Sequence, residues 1–214
     1  MSFRYLGAVI SKTPPTVTAP VDAEGGSASG MWSLASQAGY KASSSWPLPP
    51  IPKQIWGWGQ NLYGQLGLAN TFNYSSPKQV GALTTWSTMA CGDNFVLAIK
   101  NGTLWSWGQA SAGQLGLGNT TAYSSPKQVG ALTAWYLIAG GAEHTLSTKT
   151  DGTLWSWGSN NNGQLGLNNV TYYSSPKQVG ALATWAYLSA KGTVSFATKT
   201  DGTLWGWGQN NYGQ

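Results

Sequence analysis

Residues 151–167 read DGTLWSWGSNNNGQLGL. Asp151-Gly152 is a tight-turn pair of the type that needs positive φ. In the run Thr153–Trp157, side chains alternate, so Trp155 and Trp157 share one strand face and Leu154 and Ser156 the other. The same text recurs along the chain. Trp-x-Trp-Gly stands at Trp56–Gly59, Trp105–Gly108, Trp155–Gly158 and Trp205–Gly208, in steps of 49, 50 and 50 residues. GQLGL occupies 64–68, 113–117 and 163–167, and SSPKQVGAL occupies 75–83, 124–132 and 174–182.

Each period reads as four short strands. In residues 109–158 they are Lys127–Val129, Trp135–Ala139, His144–Lys149 and Thr153–Trp157. Four strands per ~50 residues, with Gly and Trp at fixed offsets, is the pattern of β-propeller blades. Neighbouring blades cover both faces of a blade, so the Trp rings on one side should interdigitate with smaller groups on the other. Each ring buries on the order of 150–250 Å².

The pattern from DGTLWSWG through GQLGL, SSPKQV and HTL, clearest in residues 102–158, resembles the repeat of the regulator-of-chromosome-condensation family. The likeness covers Ile51 to Gln214. It implies a seven-bladed propeller. Members of that family include a nucleotide-exchange factor for a small GTPase, a secreted β-lactamase inhibitor and bacterial and viral proteins of unknown role. A shared fold does not carry a shared function.

The chain is expected to be all-β, with tandem four-stranded blades over 51–214: three blades plus one extra strand, Gln54–Trp58. Three blades do not close a ring, since closed propellers use roughly four to eight. The expectation is that the repeats continue beyond Gln214, or that other chains complete the ring.

Residues 1–50 do not repeat. They are expected to form a mostly extended anchor and linker: a strand at Phe3–Ile10, a Gly/Ser stretch at Glu24–Gly30, a short helix at Met31–Ala42 and a Pro-rich run from Pro47 to Pro52. Phe3, Arg4, Tyr5, Met31, Trp32, Tyr40 and Trp46 are the candidate docking residues, because their aromatic content argues for burial against a propeller, a second copy or another protein. Residues 27–47 (SASGMWSLASQAGYKASSSWP) are similar to a segment of structural proteins of marine tailed phages. Gly30, Trp32, Leu34, Gln37, Trp46 and Pro47 carry that match.

Composition narrows the chemistry. Only 8% of the residues are charged and the net charge is +5. No basic run is present, so nucleic acid is not an expected partner. Arg4 precedes only the short apolar stretch Tyr5–Ile10, which reads as no secretory signal, and no segment has the length to span a membrane. The single cysteine, Cys91, allows neither an intrachain disulfide nor a cysteine-based metal site. His144 is the only histidine, and its counterpart one repeat earlier is Phe95, so it reads as a packing residue. Asp151 and Asp201 are turn residues, and Asp93 and Glu143 fall on different blades, so no carboxylate pair forms. The GQLGL segments lack the Lys-Ser/Thr ending of a phosphate loop. Asn73, Asn119 and Asn169 begin Asn-x-Ser/Thr triplets. Neither enzymatic activity nor a cofactor is expected.

What varies between repeats is the text between GQLGL and SSPKQV (ANTFNY, GNTTAY, NNVTYY) and after Trp-Gly (QNLY, QASA, SNNN, QNNY). Phe72, Tyr74, Tyr123, Tyr172 and Tyr173 are therefore the candidate surface-binding residues, for a host-surface glycan or protein. Lys78, Lys127 and Lys177 recur at one blade position and read either as an arc for an anionic partner or as strand-edge protection. Two functions follow as expectations. The first is a structural component of a phage particle (a tail fibre, capsid fibre or decoration). Its residues 1–50 would hold other virion proteins, it would assemble in the host cytoplasm without membrane insertion, and it would form a homo-oligomer such as a trimer. The alternative is a soluble protein-binding propeller of inhibitor or exchange-factor type.

Overall fold

The computed structural model describes residues 53–82 and 85–213, which belong to one compact unit, Pro52–Gln214. The strand and helix expected within residues 1–50, and the docking residues Phe3, Arg4, Tyr5, Met31, Trp32, Tyr40 and Trp46, lie outside the described residues.

Thirteen strands follow one another among the described residues: β1 (Trp56–Gly59), β2 (Tyr74–Gln79), β3 (Trp86–Cys91), β4 (Phe95–Lys100), β5 (Thr103–Gly108), β6 (Tyr123–Gln128), β7 (Trp135–Gly140), β8 (His144–Lys149), β9 (Leu154–Gly158), β10 (Tyr173–Gln178), β11 (Trp185–Lys191), β12 (Val194–Lys199) and β13 (Leu204–Gly208). They form antiparallel up-and-down sheets: β1-β2, β3-β4-β5-β6, β7-β8-β9-β10 and β11-β12-β13. The four-stranded blade is therefore present, and the ring is not closed within these residues.

The number of strands is the expected one, but their grouping shifts by one. The strand expected at Lys127–Val129 to begin a blade is β6, and it closes the preceding one. Trp105 pairs with Gln128 and Ser106 with Lys127, and the Val129 N–H donates to the Leu104 carbonyl at 2.8 Å. Two complete blades, flanked by a two-stranded and a three-stranded sheet, replace three blades and a spare strand. Pro126 explains the outer position of β6. It has no N–H to give a ladder, which confines such a strand to an edge. The register accordingly jumps from Ser106–Lys127 to Gly108–Tyr123.

The sheets interlock through tryptophan. Ile99, Leu104 and Val129 of one blade pack against Trp135 and Trp157 of the next. Ile55 and Val80 do the same one step earlier, against Trp86 and Trp107. The strands β3, β7 and β11 each open with a third Trp: Trp86, Trp135 and Trp185. Trp135 meets Trp155 at 6.0 Å and Trp157 at 5.9 Å between ring centroids, both edge-on, a favoured arrangement for aromatic rings. The second Trp of each internal motif, Trp107 or Trp157, is fully buried, while the first is half-buried and held by its neighbour: Trp155 Nε1–H donates to Thr153 Oγ1 at 3.0 Å.

Internal repetition supplies natural substitutions. Asn61 and Asn160 are buried and clamp their loops: Asn160 Oδ1 accepts from Leu165 N–H at 3.0 Å, and its Nδ2 donates to the carbonyls of Asn169 at 2.8 Å and Thr171 at 3.0 Å. The middle loop carries Ala110 at this position, equally buried. Asn160→Ala is expected to lower stability by ~2 kcal/mol, because it strands buried backbone groups. Ala110→Asn is expected to raise it by ~1 kcal/mol by copying the clamp. Urea unfolding of the two variants checks both signs.

Candidate interaction surface

In an up-and-down sheet, alternate connections lie at the same end. The long loops 60–73, 109–122 and 159–172 thus share one end with the short turns β3–β4, β7–β8 and β11–β12. The turns around Gly102, Gly152 and Gly202 occupy the opposite end, together with the crossovers to the next sheet.

Each long loop is tied to the sheet that follows it. The Gln114 carbonyl accepts the Trp157 indole N–H at 2.9 Å and the Thr145 hydroxyl at 2.9 Å. The Gln164 carbonyl accepts Trp207 Nε1–H at 2.9 Å and the Ser195 hydroxyl at 2.7 Å. The Gln65 carbonyl accepts Trp107 Nε1–H at 2.9 Å. Backbone bonds add to this: Ala69 N–H to the Ser124 carbonyl and Gly118 N–H to the Ser174 carbonyl, both at 2.7 Å. Ser124 and Ser174 lie where the register of β6 and β10 jumps. Gly116 completes the lock. Its φ is +73°, and a Cβ there would stand 2.7 Å from Trp157 Nε1. GQLGL is thus an inter-blade latch, and it sets each loop in a fixed frame.

The five residues chosen from sequence divide into two groups. Phe72 is 70% exposed and Tyr172 43% exposed in the loop residues that lead into β2 and β10. Tyr74, Tyr123 and Tyr173 are half-buried and already engaged. Lys78, Lys127 and Lys177 lie over their rings at 5.7, 5.4 and 5.2 Å. Asn70, Asn119 and Asn169 donate to their hydroxyls. The recurrent lysines therefore serve a cation–π contact within their own strand. Leu62 and Val170 also stand exposed in these loops, at 62% and 65%. Sequence reasoning missed them, although both lie in the variable text, because only aromatic residues were weighed there. None of the residues in 60–73, 109–122 and 159–172 is charged.

The ionisable groups elsewhere are used locally. The Thr153 hydroxyl and N–H hold the Asp151 carboxyl below its usual range, and Thr203 does the same for Asp201. Lys149 and Lys199 cover the rings of Trp155 and Trp205 at 4.2 and 3.9 Å. Cys91 is a free cysteine, exposed as a residue, whose thiol pKa is pushed up by partial desolvation of the sulfur. His144 is fully buried, with Nε2 2.8 Å from Ser195 Oγ. Among the described residues no three His, Cys, Asp or Glu side chains are grouped to hold a metal ion, and no helix is long and apolar enough to cross a membrane.

Comparison with known proteins agrees with this architecture. The family model described as the regulator of chromosome condensation (RCC1) repeat matches residues 54–99, 101–147 and 151–197, and a second RCC1-repeat model matches 136–164 and 188–214. Three solved structures are similar in fold. The structure of Kap60 bound to yeast RCC1 (Prp20) gives a TM-score of 0.67 at 21% identity, over 74% of this chain and 40% of that one. Prp20p from Saccharomyces cerevisiae, studied for its binding to Gsp1p and histones, gives 0.64 at 18%, over 82% and 45%. Human WBSCR16 gives 0.64 at 22%, over 73% and 43%. The chain spans less than half the length of each. No curated protein matches it. Nothing among these matches supports the likeness of residues 27–47 to phage proteins. By its repeats and its four-stranded sheets, the chain belongs to the regulator of chromosome condensation (RCC1) repeat family.

Proposed function

We propose that this chain is a protein-binding propeller module, not an enzyme, and that its partner docks on the loop end. One observation carries the reading: two uncharged loops, 60–73 and 159–172, latched in fixed frames, present Leu62 and Phe72, and Val170 and Tyr172, to solvent. Exposed apolar groups on a rigid scaffold are the usual make-up of a protein contact. Family membership supports it, since Prp20 is solved bound to Kap60. These loops carry no Lys or Arg, so they themselves offer no phosphate contact of the kind a nucleic-acid partner would need.

Photo-crosslinking residues placed at Phe72 and at Tyr172 are expected to capture one and the same protein, while equivalents at Leu132 and Leu182, beyond β6 and β10 at the opposite end, capture none. Equal capture from both ends, or capture only from Leu132 and Leu182, overturns the assignment. The virion reading rests on residues 27–47, outside the described residues. Deleting residues 1–50 separates the two, because a loop-end crosslink that survives the deletion owes nothing to an anchor.

A further inference from the structure

His144 occupies the seam between the β7–β10 blade and the β11–β13 sheet. The same position one seam earlier holds no titratable group. There Phe95 fills the position, and the Thr145 hydroxyl donates to the Gln114 carbonyl. At the later seam the trio is His144, Ser195 and Gln164. The Ser195 hydroxyl has one proton, and it goes to the Gln164 carbonyl at 2.7 Å. The 2.8 Å contact between His144 Nε2 and Ser195 Oγ must then have the imidazole as donor. This fixes the Nε2–H tautomer and leaves Nδ1 bare. Nδ1 is buried and has no hydrogen-bond partner. Gly141 makes the fit possible, for a Cβ there would lie 2.4 Å from Nδ1.

We propose that His144 makes this one seam acid-labile, so that low pH loosens the β11–β13 sheet from its neighbour and unfixes the loop 159–172 at its Gln164 latch. A proton added at Nδ1 creates a second donor and a full charge on a buried atom that has no hydrogen-bond partner in the folded chain. The charged groups on the surrounding elements are Glu143, which directly precedes His144, Asp93 in the β3–β4 turn packed on Gly141, and the lysines of β8, β11 and β12; none of them hydrogen-bonds the ring. Glu143 takes Gln109 Nε2, Lys149 and Lys199 lie on Trp rings, and Lys191 is exposed at the end of β11. No charged residue occurs in β7, β9 or the loop 159–172. Burial holds the His144 imidazole down, at about 4 against an ordinary 6.5. The folded chain therefore resists a proton that the unfolded chain accepts. Stability from the neutral ring is complete above pH 6.5 and drains away as the pH falls toward 4. Because Val170 and Tyr172 ride on the loop latched by Gln164, the seam also regulates the partner site, a consequence that rests on the proposed function.

His144 is the only histidine, so its ring resonances are unambiguous in the full chain. An NMR titration is expected to find it neutral at pH 6 and to half-protonate it near pH 4, while titration near 6.5 overturns the proposal. Hydrogen exchange gives the second readout. Between pH 7 and 4.5, protection of β12 amides, corrected for intrinsic rates, should fall at least tenfold relative to β4 and β5 at the Phe95 seam. His144→Phe, which copies that seam, should abolish the difference. Equal loss at both seams, or an unchanged loss in His144→Phe, overturns the proposal, whether or not a partner exists. Crosslinking at Tyr172 is expected to fall at pH 4.5 in the native chain and to persist in His144→Phe; if it persists in both, the regulatory consequence fails.

Discussion

Replacing Trp157 with alanine is expected to cost ~4 kcal/mol and to lower the melting temperature by about 10 °C, at the upper end of what a single core truncation does. The ring is fully buried. It packs on Ile99, Leu104 and Val129 of the preceding blade and edge-on to Trp135. Its N–H also holds the Gln114 carbonyl, so truncation opens a cavity and releases a latch together. Trp157→Phe separates the two effects. It keeps most of the ring volume and loses the bond to Gln114, for an expected cost of ~1–2 kcal/mol. Chemical unfolding of the two variants reads both numbers. A cost for Trp157→Ala below that expected of the phenylalanine variant would mean that the blades are not joined through this ring.

Gly116→Ala is expected to cost ~3 kcal/mol, and Gly163→Ala only ~1 kcal/mol. Both glycines have φ near +73°, so an alanine pays the same backbone strain at each. They differ in space. A Cβ on Gly116 meets Trp157 Nε1 at 2.7 Å, whereas one on Gly163 meets nothing within 4 Å. The difference between the variants is therefore the closeness of the loop to the next blade, free of the conformational term. Equal costs in urea unfolding would place the loop away from the tryptophan.

The repeat made the fold legible. Its period, the paired tryptophans and the turn at Asp151-Gly152 each express a local rule, and β9 forms at Leu154–Gly158 within one residue of its expected place. The grouping of strands was not legible, because sequence distance misleads there. Six residues separate β6 from β7, while fourteen separate β5 from β6, yet the longer connection is the hairpin. The short one carries Gly130 and Ala134 at positive φ and crosses to the next blade. Similarly, Phe95 marked His144 as a packing position, but nothing in the sequence places Ser195 beside it, 51 residues on. Tyr74, Tyr123 and Tyr173 were read as binding groups because they sit in variable text. The lysine four residues later in each strand was the available sign that their rings are engaged.

The uncharged long loops make a demand on binding that a charged interface would not meet. Contacts without ion pairs are little affected by screening, which at ~0.15 M salt already extends over about 8 Å. The direct measurement is the affinity of the full chain for the protein captured at Phe72 and Tyr172, taken from 50 to 500 mM NaCl, roughly 13 to 4 Å of Debye length, with Phe72→Ser and Tyr172→Ser beside the native chain. The expected result is a dissociation constant that changes less than about threefold with salt and rises more than about tenfold in each variant. An affinity that collapses with salt, or one that both variants leave untouched, would contradict a partner site built on these loops.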